Sequence, residues 1–165
     1  MKLKLNKKIC YLIGLCNRNQ NSLLISTEYN EVLEKFIQIA INNLNIKPEK
    51  IIINKKESRI TAFSYNSKIK IFFNQILGKR DNVFKYINDY SSNYFAGLFD
   101  NNGFISNNDL YFKNIDMNDQ LILEKFNIHV NKTKNYYKII SKNQFLILIK
   151  QNSIKINFFF KKENK

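Results

Sequence analysis

Proline, glycine and tryptophan are scarce in this sequence, which has one Pro, four Gly and no Trp among its 165 residues. So few chain-breaking residues argue against a disordered or linker-rich protein. Acidic residues are also few, because 13 Asp and Glu stand against 27 Lys and Arg, for a net charge of +14. This excess favours a polyanionic partner, with nucleic acid first and an anionic membrane surface second. The alternative is a basic surface that serves only solubility.

Potential metal ligands and long apolar runs are also in short supply. Cys10, Cys16 and His129 are too few and too poorly spaced for a four-ligand zinc site, so we expect no metal and no cofactor. We expect the cysteines to be buried and reduced and the histidine to be structural. No apolar run approaches the ~20 residues of a membrane span, and we expect no membrane partner. Residues 1–16 do not continue into the small residues of a signal peptide, so we assign them to the folded domain.

Lysine, asparagine and isoleucine are the most frequent residues. All three have A- and T-rich codons, which suggests an AT-rich organellar genome and predicts an organelle-encoded protein of the mitochondrial matrix. Mutational bias explains part of the lysine excess, but it does not explain why Asp and Glu are so few.

The apolar periodicity of the first half predicts alternating helices and strands. Helices are predicted over residues 9–16, 28–44 and 69–76, and strands over 23–25, 51–53 and 60–63. We expect Thr27 to cap the second helix, Pro48 to follow its end and Gly78 to close the third helix. A turn is predicted at residues 55–58.

The second half repeats this order of elements. Helices are predicted over residues 94–99, 117–126 and 145–149, and short strands at 105, 110–112, 128–130 and 136–140. We expect Asp116 to cap the middle helix, and Ser141 with Gln144 to form a capping box on the last. The basic-aromatic tail, residues 153–165, could add a strand, stack on bases or dock on a protein.

The first helices of the two halves share a pattern, YLIGL at residues 11–15 and YFAGL at residues 94–98. A repeat of a whole mixed unit indicates a pseudo-twofold architecture. A glycine inside a helix costs about 1 kcal/mol relative to alanine, so Gly14 and Gly97 at matching positions predict a close helix contact. We expect a repeat interface formed by Gly14, Ala96 and Gly97, with the helices within roughly 8 Å.

The segment YFAGLFDNNG, residues 94–103, resembles the LAGLIDADG motif of homing endonucleases and intron maturases, and residues 11–20 resemble a more degenerate copy. The resemblance covers residues 8–150 and implies an α+β fold of two pseudo-twofold-related repeats. Each repeat is αββαββα-like with shortened strands, and the motif helices pack at the repeat interface. The implied organisation is a monomer with an internal pseudo-dimer. Its parts are a first repeat at residues 1–78, a linker at 79–90, a second repeat at 91–152 and the tail.

The resemblance also locates the positions at which the family binds its metal ions. Each motif helix of the family delivers one acidic residue to shared divalent cations, and those positions correspond here to Asn19 and Asn102. Magnesium requires charged oxygen ligands, which an amide does not provide. Asp100 is an earlier and more structural position of the motif, about 200° away around the helix, and its counterpart is Asn17. We therefore expect no catalytic residue, no metal and no enzymatic activity.

The family reads DNA with long antiparallel hairpins, and these are reduced here. Between residues 20 and 27 there is room for one strand only, and the strands around Asn107 span about 10 Å. What remains is a set of cations at the turns, near Tyr136 and Tyr137. The candidate nucleic-acid-binding residues are Lys55, Lys56, Arg59, Lys113, Lys132, Lys134 and Lys138. The alternative for each lysine is plain solvent exposure.

Three functions fit these observations. The first is an inactive, homing-endonuclease-derived protein that binds structured RNA within an organellar ribonucleoprotein, such as the mitochondrial ribosome, beside neighbouring proteins. The second is a group I intron maturase that assists RNA splicing. The third is an active DNA homing endonuclease, which the loss of both carboxylates disfavours.

Overall fold

The computed structural model describes residues 3–16 and 22–163, so Asn17 and Asn19 of the first motif lie outside the described residues. The first half contains α1 (Lys7–Leu15), β1 (Leu23–Thr27), α2 (Asn30–Leu44), a 3₁₀ turn (Pro48–Lys50), β2 (Ile52–Lys56), β3 (Arg59–Ser64), α3 (Ser67–Leu77) and α4 (Arg80–Val83). The second half contains α5 (Asp89–Asn102), β4 (Gly103–Ser106), β5 (Asp109–Phe112), α6 (Met117–Lys125), β6 (Val130–Lys132), β7 (Tyr137–Ile139), α7 (Lys142–Ile149) and α8 (Ile154–Glu163).

The two motif helices, α1 and α5, pack against each other at the centre of the molecule. A Cβ atom placed on Gly14 would lie 2.0 Å from the carbonyl oxygen of Tyr94. A Cβ atom on Gly97 would lie 2.0 Å from the carbonyl oxygen of Tyr11, so the contact is reciprocal. Ala96 is fully buried in the same helix. Packing of the motif helices at the repeat interface, predicted from the sequence, is confirmed.

Each half contributes one antiparallel sheet. The first has the strand order β1-β3-β2 and the second the order β4-β5-β7-β6. Within the described ranges, one strand precedes α2 in the first half, whereas the β4–β5 hairpin occupies the corresponding place in the second. The helices cover one face of the sheets, with Phe36 of α2 and Phe145 of α7 fully buried. The α+β fold of two repeats is confirmed.

Local signals placed several turns and caps correctly. Asn107 and Asn108 have φ angles of 48° and 64° and join β4 to β5, as a two-residue hairpin turn requires. The Asp116 side chain accepts from the N–H of Asp119 at 3.0 Å and caps α6. The N–H of Gly78 donates to Asn74 at the end of α3.

Two predicted helix caps are wrong, because both side chains accept hydrogen bonds from other donors. Thr27 is the last residue of β1, and its hydroxyl accepts from the N–H of Tyr29, while α2 begins at Asn30 with no side-chain cap. Ser141 precedes α7, but its hydroxyl accepts from the N–H of His129 at 3.0 Å, and no side-chain cap forms. The predicted capping box is therefore absent.

The segment between the halves is ordered by an ion cluster. Arg80 of α4 donates to both carboxylate oxygens of Asp116 at 2.6 Å, and its Nε lies 3.2 Å from Asp119. The Tyr94 hydroxyl donates to Asp119 at 2.7 Å, and the Tyr94 ring stacks on Phe84. These contacts attach residues 79–90, predicted as a linker, to the second repeat.

Candidate nucleic-acid interface

Asp100, near the end of the second motif helix, is buried and holds the C-terminal helix in place. Its Oδ2 accepts from the Tyr11 hydroxyl at 2.6 Å and from the N–H of Ile154 at 2.8 Å. Its Oδ1 accepts from the Ser153 hydroxyl at 2.6 Å and from the N–H of Lys155 at 3.1 Å. Burial, aided by Asp100, raises the pKa of Tyr11, which keeps its hydroxyl protonated as the donor. Asp100 therefore caps α8, a helix that the sequence did not predict within the tail.

The residues at the end of α5 do not fit a divalent cation. Asn102 contributes an amide, and the ammonium of Lys155 donates to the Gly103 carbonyl at 2.8 Å. A half-buried ammonium thus lies one residue beyond the position that would hold a metal. No cluster of three His, Cys, Asp or Glu side chains forms in the part of the chain that the structure describes. Asn19, the other predicted degenerate position, lies outside that part.

The strand register separates the predicted cations of the first sheet. Ile60 and Ala62 of β3 point into the core, so the alternating residues Arg59 and Thr61 point away from it. Lys56 is paired with Arg59 and shares this face, which we name the open face of the sheets. Lys55 is paired with Ile60 and points to the opposite side. Lys55 and Lys56, both predicted at one turn, therefore point to opposite sides of the sheet, because adjacent strand residues face opposite ways.

The second sheet divides its cations in the same way. Lys138 is paired with Tyr111, and both lie on the open face, because their neighbours Phe112 and Ile139 are buried. Lys132 is paired with Tyr137, on the helix-facing side at the sheet edge. Lys134 lies in the exposed turn between β6 and β7.

Two of the open-face cations also have carboxylate partners. Lys138 donates to Asp109, which raises the pKa of the lysine and lowers that of the aspartate. Arg59 lies 4.0 Å from Glu28. Exposed pairs of this kind are worth little in stability, but they reduce the charge available to a phosphate.

Sequence reasoning missed an aromatic group on the open face of the second sheet. Phe104 stacks on Tyr111 with ring centroids 5.1 Å apart, and Tyr136 meets Phe104 edge-on at 4.9 Å. Tyr136 is 44% exposed. Aromatic side chains on a sheet face are the usual platform for stacking unpaired bases. The register of β4 on β5 pairs Phe104 with Tyr111, and the turn before β7 brings Tyr136 to them, so the spacing of the three rings in the sequence gave no signal.

A cavity of about 270 Å³, here called the central cleft, opens between the two sheets beside α8. Its walls include the cations Arg59, Lys113 and Lys155, the acid Glu28 and the rings of Tyr29, Phe104, Phe158 and Phe159. Burial lowers the pKa of Lys155 to about 8, and Lys113 adds to this, while Asp100 and Glu28 oppose it. Of the seven predicted cations, the cleft thus brings together Lys113 and Arg59.

No protein-family model matches the chain, and no curated protein matches its sequence. Solved structures match it in fold. The homing endonuclease I-DmoI, in a study of mesophilic variants, aligns with a TM-score of 0.65 and 16% identity over 87% of this chain and 94% of that chain. I-DmoI in complex with DNA and Mn aligns with a TM-score of 0.63 and 16% identity, over 87% of this chain and 96% of that chain.

The N-terminal LAGLIDADG domain of DUF199/WhiA aligns with a TM-score of 0.62 and 15% identity, over 96% of this chain and 89% of that chain. The similarity to these solved structures extends to the paired motif helices and the two antiparallel sheets. Separately, no helix within residues 3–16 and 22–163 is long and apolar enough to cross a membrane. The structural similarity shows that the chain has the LAGLIDADG-type fold, as its two motif helices predicted.

Proposed function

We propose that this chain is a non-catalytic protein that binds structured RNA through the open face of its two sheets. The observation that carries the proposal is the end of α5, where Asp100 is fully engaged in capping α8 and Lys155 places an ammonium on the Gly103 carbonyl. An ammonium at this position attracts a phosphate directly and repels the metal ions of a nuclease. The net charge of +14 supports a polyanionic partner.

The preference for RNA follows from the size of the hairpin. β4 and β5 have four residues each, about 13 Å, which is short for reading many base edges in a DNA major groove. Structured RNA is recognised by shape, phosphates, 2′-hydroxyls and stacking on unpaired bases, and needs no long hairpin. The rings of Phe104, Tyr111 and Tyr136 supply the stacking surface.

The cellular role that fits best is a structural component of an organellar ribonucleoprotein, such as the mitochondrial ribosome, in contact with its neighbouring proteins. The high frequency of Lys, Asn and Ile, whose codons are rich in A and T, supports an organelle-encoded protein of the mitochondrial matrix. A group I intron maturase would use the same fold and the same RNA-binding face. Sequencing the RNA crosslinked to the protein in cells separates the two roles, since ribosomal RNA supports the first and intron RNA the second.

Competition between RNA and DNA tests the ligand class. A fluorescein-labelled RNA hairpin should be displaced by the same RNA at about tenfold lower concentration than by a DNA hairpin of equal sequence, measured by anisotropy at fixed salt. Equal displacement by DNA would overturn the assignment to RNA.

A cleavage assay tests the lack of catalysis. We expect no cutting of DNA or RNA in magnesium or manganese. Restoring carboxylates with Asn19→Asp and Asn102→Asp should not restore specific cleavage, because the hairpins remain short. Site-specific nicking by the purified chain, lost in Asp100→Asn, would contradict the proposal.

A further inference from the structure

The central cleft combines a fixed cation with an aromatic wall. Asp100 holds the first turn of α8, and this anchor directs the Lys155 ammonium to the Gly103 carbonyl at 2.8 Å. One turn further along the same helix, the Phe158 ring packs edge-on against Tyr29 at 5.6 Å. The cation and the ring therefore belong to one rigid element.

The charges in the cleft are predominantly positive. Lys113 and Lys155 line it, and the guanidinium of Arg59 shares its charge with Glu28 at 4.0 Å. Burial of an ammonium removes the water that would screen it, so its attraction to an anion is stronger than on an open surface. A phosphate is the anion that a nucleic-acid-binding face meets.

The remaining walls of the cleft suit a base. Phe104, Phe158 and Tyr29 present aromatic surface, and stacking on rings is tolerant of base identity. A volume of about 270 Å³ is at the small end of ligand cavities and has room for one nucleotide but not for a duplex. A base can enter only if it is unpaired.

We propose that the central cleft binds one unpaired nucleotide of the RNA, with its phosphate at Lys113 and Lys155 and its base against the aromatic wall. This inference rests on the proposed RNA-binding function and specifies the kind of RNA. The bound RNA is a helix interrupted by a bulge or a loop, with the paired part on the open face and the unpaired nucleotide in the cleft.

Two RNA hairpins with the same stem, one carrying a single bulged adenosine, test the inference. The full chain should bind the bulged hairpin about tenfold more tightly in an anisotropy titration, the effect of one stacked base. Lys155→Gln keeps a donor for the Gly103 carbonyl but removes the charge, so it should weaken binding of the bulged hairpin alone. Lys155→Arg should retain the preference. Lys47→Gln, at an exposed position outside the cleft, is the matched control and should leave the preference unchanged.

A second measurement follows the base itself. With 2-aminopurine at the bulge, its fluorescence should fall when the RNA binds the natural protein and should fall less with Phe158→Leu, because the ring that quenches it is gone. This variant leaves the Asp100 anchor intact, so it keeps the test open if Lys155→Gln does not fold.

The outcomes separate the two proposals. RNA binding with no preference for the bulge, or equal weakening of both hairpins by Lys155→Gln, overturns the assignment of the cleft and leaves the proposed function standing. Unchanged 2-aminopurine fluorescence on binding also overturns it. Absence of binding to either hairpin overturns the proposed function and this inference together.

Discussion

The two repeats use their motif tyrosines alike but attach different segments with them. Tyr11 donates to Asp100, which holds the start of α8, whereas Tyr94 donates to Asp119, which lies against Arg80 of α4. Each tyrosine thus donates a hydrogen bond to a buried carboxylate, and that carboxylate contacts a segment outside the repeat, α8 in one case and α4 in the other. The glycine contacts remain reciprocal, since a Cβ atom placed on either Gly14 or Gly97 would lie 2.0 Å from a carbonyl oxygen of the other helix. Backbone contact at the interface tolerates no side chain, while the polar groups around it can acquire new partners.

The open faces of the two sheets differ more than the helices do. The first sheet presents Lys56, Arg59 and Thr61 beside the ring of Phe63, whereas the second presents the stacked rings of Phe104 and Tyr111 beside Lys138. The balance therefore differs, with cations predominating on the first sheet and stacked rings on the second. The central cleft lies between them and combines both.

The largest effect should come from filling the helix contact. Gly14→Leu and Gly97→Leu should each destabilise the chain by about 3 kcal/mol or prevent folding, because the new side chain meets backbone atoms that cannot move independently. Urea unfolding measures the effect. Gly78→Ala, whose Cβ would meet its nearest atom at 3.3 Å, is the control and should change stability by less than about 1 kcal/mol. A mild effect at Gly14 with a severe one at Gly97 would show that the interface is not symmetric.

Removing the charge of Asp119 should lower the free energy of unfolding more than removing the charge of Asp100. Asp119→Asn should destabilise by about 3 kcal/mol, because it leaves the charge of Arg80, whose side chain is 11% exposed, with less compensation. Asp100→Asn should cost about 2 kcal/mol, because its donors are neutral groups. Urea unfolding compares them. An Asp100→Asn variant as stable as the natural chain would mean that Asp100 does not anchor α8.

Loss of a cation from the open face of the first sheet should be visible in the salt dependence of RNA affinity. Lys56→Gln should reduce the slope of log affinity against log salt by about 1, because one phosphate contact is lost. Lys55→Gln should leave the slope unchanged, because its side chain points to the opposite side. Isothermal titration calorimetry with RNA at several salt concentrations measures the slope for each variant. Equal slopes for the two variants would place the RNA at the sheet edge instead of on the open face.

The smallest effect concerns pH. The pKa of Lys155 is lowered to about 8, and a bound phosphate favours its charged form, so RNA affinity is full below that pH. The groups that face its ammonium are Asp100, Glu28, Tyr29 and Lys113. Affinity should fall roughly threefold as pH rises through about 8, the weight of one phosphate contact. Lys155→Gln should remove this fall, and its persistence in that variant would assign it to another group.

Local sequence signals predicted the parts of the fold that depend on near neighbours. The motif helices, the Asn107–Asn108 turn and the Asp116 cap each follow from a few adjacent residues. The two caps that failed did so because the side chains have other donors. Thr27 accepts from the nearby N–H of Tyr29, whereas Ser141 accepts from the N–H of His129, twelve residues earlier in the chain.

The C-terminal helix was also missed. An added strand was one of three roles considered for the tail, yet the Asp100 carboxylate supplies acceptors for the first N–H groups of α8. A buried acceptor 54 residues earlier in the chain therefore decides the structure of this segment. The central cleft is lined by that helix, so it could not be predicted from the sequence either.

Photo-crosslinking shows whether RNA lies on the open face and in the central cleft. RNA carrying 4-thiouridine is irradiated with the full chain, and the crosslinked peptides are identified by mass spectrometry. We predict crosslinks within β3, β4 and β5 and at Phe158 of α8. Crosslinks confined to α2 and α6, on the opposite side of the sheets, would contradict the account.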